Sequence, residues 1–238
     1  MQNSSSHRGI ALVLALLAIA FFSAMAGGLI LSTVLGRTVA ENYEEAADLA
    51  NVSDSALELT ARELSAIAEW DDVLNGVRTA TLVDGVAGPR TMPDGVVIDL
   101  VTLTNERTCG RVTVCTTAQV SEYAPERPWG PNNPRWRLFI HAPFPALPVM
   151  PRNGGPVYVV VWIGDDARET DGNPSLDGAG AEQEGRYVVR ARVESFGARG
   201  GRHAVEAELA RMCAVEAEAA VCRPGTRLQS WHVVAAVP

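Results

Sequence analysis

Four cysteines fall in two close pairs, Cys109 with Cys115 and Cys213 with Cys222. Neither spacing has the Cys-x2-Cys form that zinc sites favour, and no paired-histidine pattern accompanies them. Outside the cytoplasm the natural chemistry is disulfide formation, locally as Cys109–Cys115 and Cys213–Cys222, with two crossed pairings left open. Each local bridge would contribute roughly 2–4 kcal/mol by restricting the unfolded chain. A second group lies between Gly164 and Gly178, where Asp165, Asp171, Asn173 and Asp177 gather around glycine. Oxygen donors on a turning backbone suit a hard cation such as Ca²⁺, the one candidate cofactor. The EF-hand spacing and its terminal Glu are missing, so the same stretch also reads as a polar loop between strands. Four histidines, at 7, 141, 203 and 232, lie in no metalloprotease pattern, and no nucleophile elbow, P-loop or dinucleotide fingerprint is present. Ser195 or Ser230 with His203 or His232 names partners for a hydrolase without any defining spacing. A non-enzymatic protein is expected.

What positions these residues starts at the other end of the chain. The sequence has 238 residues, of which 20 are basic and 28 acidic, for a net charge of −8. Every basic residue is Arg. That balance argues against nucleic acid as a partner, and an apolar share of 47% argues against wholesale disorder. From Ile10 to Leu35 there is no charge and no proline. As a helix this run would measure about 39 Å, longer than the roughly 30 Å hydrocarbon core of a bilayer. Residues 10–37 are therefore expected to form a transmembrane helix. Arg8 precedes it and an acidic cluster follows, which puts a 1–9 leader in the cytoplasm and the remainder outside. A plain uncleaved anchor and a signal peptide cut after Ala24-Met25-Ala26 are two readings of this segment.

A third rests on Arg8-Gly9-Ile10-Ala11-Leu12-Val13, a charged residue and a glycine directly ahead of the apolar run. Here, over residues 8 to about 75, the chain resembles the PilX-type pilus assembly family of type IV pilin-like proteins. More distantly it resembles the K-type minor pseudopilin of type II secretion. The resemblance implies cleavage after Gly9, with Ile10 as the mature, N-methylated terminus. It also implies partners among other minor pilins and pilus assembly proteins, and a role in priming or promoting filament assembly from the inner membrane. Major pilins carry Glu at the fifth position after the cleaved glycine. This chain has Leu14 there, which speaks against a main pilus subunit. The terminal Ser230-Trp231-His232 is similar to the Ser-Trp-Arg ending of PilX-like chains. The rival reading is a single-span envelope protein whose external domain binds a ligand or calcium.

Thr38 to Asn75 lacks proline and carries ten acids against one Arg, with Gly76 as the expected stop. Ala46, Ala50, Leu57, Leu64, Ile67 and Leu74 recur at helical spacing, so residues 38–76 should form an amphipathic helix with one side packed. Glu41, Glu44, Glu45 and Asp48 are candidates for contact with basic groups of neighbouring subunits. Residues 77–155 are rich in Gly, Pro and Asn, with short elements only. Val96–Thr104 is open to helix or strand, and Arg135–His141 is an apolar-aromatic piece. Trp129 and Trp136 are expected to pack under a proline-rich loop. Residues 156–238 read as sheet, with strands at 157–163, 187–196, 203–212 and 227–234. The second cysteine pair would tie off an insertion between the last two. The expected class is α+β and pilin-like: a long N-terminal transmembrane helix continuing into a helix packed on an antiparallel sheet of about four strands.

Overall fold

A computed structural model describes residues 6–144, 156–169, 172–177, 187–216 and 219–235. The chain divides into two units, residues 1–44 and 45–238. One helix, α1 (Ser6–Ser65), supplies the whole described part of the first unit and the opening of the second. In the first unit the apolar side chains from Ile10 to Leu35 are all exposed. The helix is long and apolar enough there to cross a membrane. At its polar end Arg37 Nε donates to Glu41 Oε1 at 2.8 Å, a one-turn pair.

In the second unit α1 turns a face of Leu49, Val52, Ala56, Leu59 and Leu64 into the core, as the helical spacing of apolar residues requires. The helix ends earlier than expected, at Ser65 rather than at Gly76. The Ala66 and Ile67 amides bond back three residues, to the Glu63 and Leu64 carbonyls, which tightens the last turn. The Trp70 indole then donates to the Leu64 carbonyl at 3.1 Å, closing an acceptor that a continuing helix would have used. A separate turn, α2 (Asp71–Leu74), follows. Gly76, at φ +74°, stops that short helix instead.

Residues 77–143 hold more order than their composition suggests. Strands β1 (Pro89–Thr91) and β2 (Val97–Asp99) form a small hairpin. The ambiguous Val96–Thr104 stretch divides at Asp99, whose side chain accepts from the Thr102 amide and so caps α3 (Leu100–Cys109). A four-residue helix, α4 (Thr117–Val120), starts from a capping box between Thr116 and Gln119.

The main sheet has five strands, not about four. The apolar piece at 135–141 contributes the extra one, β3 (Arg137–Pro143). It is followed by β4 (Tyr158–Asp165), β5 (Val188–Phe196), β6 (Arg202–Glu216) and β7 (Ala219–Val234). They lie in chain order and every neighbouring pair is antiparallel. The last two strands are also longer than expected. No insertion interrupts them, because Cys213 and Cys222 face each other in register and the ladder continues past them to Glu216 and Ala219. Register shifts between Glu208 and Leu209 and between Arg211 and Met212 absorb the extra residues of β7, Pro224 among them.

Every residue of β4 is buried, so both faces of the sheet are covered. Val159, Val161 and Ile163 pack toward α1. Tyr158, Val160 and Trp162 pack toward Leu100 and Leu103 of α3, with Trp136 and Met92 beside them. The α1 cover follows from the amphipathic pattern. The α3 cover makes the domain three-layered.

Candidate functional site

On the α3 side the sheet changes character after β4. Arg190, Arg192 and Glu194 alternate along β5, and Glu206 and Glu208 along β6, so the strand period of two sends all five to one face. Register sets Arg192 opposite Glu206. From α3, Arg107 donates to both oxygens of Glu194 at 2.6 and 2.9 Å. Arg192 joins Glu194 at 2.7 Å to Glu206 at 2.8 Å. Arg190 reaches the other Glu206 oxygen at 2.6 Å. Beyond it the Trp129 ring lies 4.6 Å under the Arg190 guanidinium, with Trp136 at 6.0 Å. The bonded series Arg107, Glu194, Arg192, Glu206, Arg190 thus alternates in sign, and with Glu208 opposite Arg190 the charges of this face balance.

Burial alone would push the Glu194 carboxyl up. The hydrogen bonds and charges of Arg107 and Arg192 outweigh it and hold the group below the usual carboxylate value. A cleft of about 680 Å³ opens over this ladder, walled by Arg127, Trp129, Trp136 and His232 among others. Such a pocket offers a flat indole edge and guanidinium groups already held in place. Trp136 is buried, at 6% exposure, against the cluster of Leu100, Leu103 and Trp162, whereas Trp129 is 39% exposed and lines the cleft. The ladder itself escaped the sequence reading, although Val188–Phe196 and Val205–Leu209 both display charge at every second residue.

Both cysteine pairs are bridged locally, Cys109 to Cys115 and Cys213 to Cys222. The first closes the loop after α3; the second staples the β6–β7 arm beyond the reach of β5, whose pairing stops at Ala210.

Of the proposed cation ligands, Asp165 and Asp177 lie within electrostatic reach of each other. Asp171 lies outside the described residues. Asn173 Oδ1 accepts from the Ser175 amide at 3.3 Å, and Asp177 Oδ1 from the Tyr187 amide at 2.7 Å, so both oxygens serve their own loop. The Asp177 amide is itself bound by Asp71 Oδ1 at 2.7 Å, which fastens the segment to α2. Asp165 ends β4, buried against Glu169. Burial, and then the Glu169 carboxylate beside it, push Asp165 up to about 9. Burial likewise lifts Asp177 to about 7, against the pull of the Tyr187 amide and Arg211. Among the described residues, no three carboxylate, histidine or cysteine side chains converge as a metal site.

Of the acidic helix residues, Glu41 is paired with Arg37 and Glu44 is exposed. Asp48 is half-buried. Glu45 is engaged within its own unit: its Oε1 accepts from the Arg199 amide at 2.7 Å, in the β5–β6 turn. Gly9 and Ile10 lie inside α1, with Ile10 exposed.

Of the serines and histidines, Ser195 and His203 do meet, through a third residue. Ser53 Oγ lies 3.0 Å from Ser195 Oγ and 3.2 Å from His203 Nδ1, and Ser195 donates on to the Leu49 carbonyl at 3.1 Å. Both serines have no exposed surface, so a substrate has no route to either oxygen. The knot joins α1 to β5 and β6. Ser230 stands apart, donating to Glu208 at 2.9 Å.

No family model, curated protein or solved structure matches the chain.

Proposed function

We propose that this chain is a minor pilin-like subunit that primes or promotes assembly of a type IV pilus or a related filament, without catalysing a reaction. The observation that carries the reading is one helix, α1, which is uncharged from Ile10 to Leu35 and amphipathic from Leu49 to Leu64. The apolar part suits inner-membrane lipid before assembly and the apolar interior of a filament afterwards, so its surface need not face water in either state. The two disulfides suit an oxidising compartment, and Arg8, in the first turns of α1 ahead of the uncharged run, suits a cytoplasmic leader. Leu14, in place of the carboxylate of major pilins, suits a minor subunit. Intact-mass measurement of the membrane-extracted protein tests the proposal. Loss of residues 1–9 with one added methyl is expected; a start at Met1 or Gln2 overturns processing, and a start at Gly27 replaces it with signal-peptide cleavage.

One observation favours a second reading, a single-span envelope protein with an external ligand-binding domain. It is the cleft over Arg190 and Arg192, which has the size of a small-molecule pocket. Equal numbers of surface filaments with and without the gene would favour this second reading.

A further inference from the structure

The two edges of the main sheet differ. At β3 the chain covers its own edge: the Ala80 amide donates to the Phe139 carbonyl at 3.1 Å and the Asp84 amide to the His141 carbonyl at 2.7 Å. Val83 pairs with His141 in an isolated parallel bridge. At β7 there is no such cover among the described residues, and the strand closes the sheet order. Alternate residues of an antiparallel edge strand turn amide and carbonyl away from their one neighbour, so β7 presents a long row of unpaired backbone groups. Natural edges are commonly blunted by lysine, proline or a covering segment. Here Pro224 sits near the far end, and residues 226–234 contain neither lysine nor proline, with Arg227 and one register shift at Gln229 as their departures from a plain edge.

The side chains of that stretch divide by face. Val233, Trp231 and Leu228 oppose Val205, Ala207 and Leu209, and so lie on the α1 side. They are 59, 54 and 47% exposed, an apolar stripe on an edge without cover among the described residues. The other face carries His232, Arg227 and Arg223, opposite Glu206, Ala210 and Met212. Arg223 and Arg227 are exposed, and no ion partner faces either among the described residues. On its inner side β7 already pairs with a strand of matching pattern, Val205-Glu206-Ala207-Glu208-Leu209, aliphatic on one face and acidic on the other.

We infer that the outer edge of β7 is a docking site for an extended segment of another protein, one in which aliphatic and acidic residues alternate. The backbone row supplies main-chain hydrogen bonds, as in strand addition. The apolar stripe takes the aliphatic side chains, and Arg223, Arg227 and His232 take the acids. A register slip of one residue would set acids on Trp231 and aliphatic groups on the arginines, so the pattern fixes the alignment. This inference goes beyond the filament reading and stands whether or not Gly9 is cleaved.

The test uses the full chain in detergent micelles and a blocked peptide with the sequence of residues 203–211. Three outcomes support the inference together. The peptide slows amide exchange within 226–234 by about tenfold or more while exchange in β3–β5 stays unchanged. Trp231 emission shifts to the blue on binding. Arg223→Glu with Arg227→Glu, in a variant whose circular dichroism matches the parent, weakens binding by about tenfold. Equal binding by a peptide carrying Glu206→Lys and Glu208→Lys overturns the inference, as does protection outside β7 or none. Concentration-dependent pairing of β7 with β7 of a second copy, abolished by Trp231→Lys, also overturns it, because the edge is then filled by the chain itself.

Discussion

Arg107 on α3 grips Glu194 on β5 through two hydrogen bonds of 2.6 and 2.9 Å, with side chains only 8 and 2% exposed. Eighty-seven residues separate the partners in sequence. A bidentate pair in so dry a place fixes direction as well as distance, and it decides where the second cover of the sheet must sit. Removing one partner strands a buried charge. Glu194→Ala leaves both Arg107 and Arg192 short of an acceptor and should destabilise the domain by about 3–5 kcal/mol. Arg107→Ala with Glu194→Ala should cost less than the sum of the single changes. Urea denaturation of the four proteins of this cycle in detergent gives the coupling directly.

The acid dependence of the same carboxylate runs in a known direction. Its folded value is below the ordinary one, so its contribution is present above the ordinary carboxylate range and lost as pH falls through the lowered value. Glu194→Gln should flatten the acid limb of a stability–pH curve, leaving the alkaline limb as in the parent.

Asp165 predicts the opposite limb. Its folded value lies near 9 against an ordinary 3.8, so the protonated form is the one that fits beside Glu169. That stabilisation is complete below about pH 4 and declines as pH rises through about 9. Asp165→Asn, which keeps the shape and cannot ionise, should melt at a higher temperature than the parent at pH 9, with the gap narrowing toward pH 4. Added millimolar Ca²⁺ should leave the midpoint of either protein unmoved if the acids serve only this proton-sharing pair; a rise confined to the parent would restore the cation reading.

The bridge at Cys213–Cys222 staples a two-stranded arm, not the sheet body. Replacing both with Ser should raise amide exchange within 211–216 and 219–226 while β4 and β5 keep their protection. Global stability should fall by no more than about 2–4 kcal/mol. Uniform acceleration of exchange across all five strands would contradict this placement.

Gly201 faces Glu45 closely enough that an added Cβ would stand 2.8 Å from the carboxylate and 3.0 Å from Leu49 Cδ1. Gly201→Ala should therefore cost about 1–3 kcal/mol. Glu45→Ala should be destabilising by itself, since the Arg199 amide loses its acceptor, yet partly offset the Gly201 change.

Much of this architecture was legible because it is written in short-range periodicity. The uncharged run at 10–35, the apolar steps from Ala50 to Leu64 and the β-branched run at 157–163 each announce an element. The two cysteine spacings suggested the bridges. What escaped depends on partners far away in sequence. Whether Arg192 meets Glu206 depends on the β5–β6 register. The end of α1 at Ser65 depends on an indole five residues later, since nothing in Ser65-Ala66-Ile67-Ala68 forbids a helix. The strand at 137–143 lacks clean alternation because it is covered on both faces and bulged between Leu138 and Ile140. The calcium reading drew on composition, which does not show that Asn173 and Asp177 also accept amides of Ser175 and Tyr187.

The hydroxyl knot of Ser53, Ser195 and His203 has a mechanical consequence. Interdigitated apolar side chains resist creep of the rod along the sheet collectively, and hydrogen bonds add a single fixed registration. Three polar links at one spot act as a shear pin, and they must rupture at once before any such creep. Tension carried along Leu49–Leu64 would then pass into β5 and β6 at that one spot.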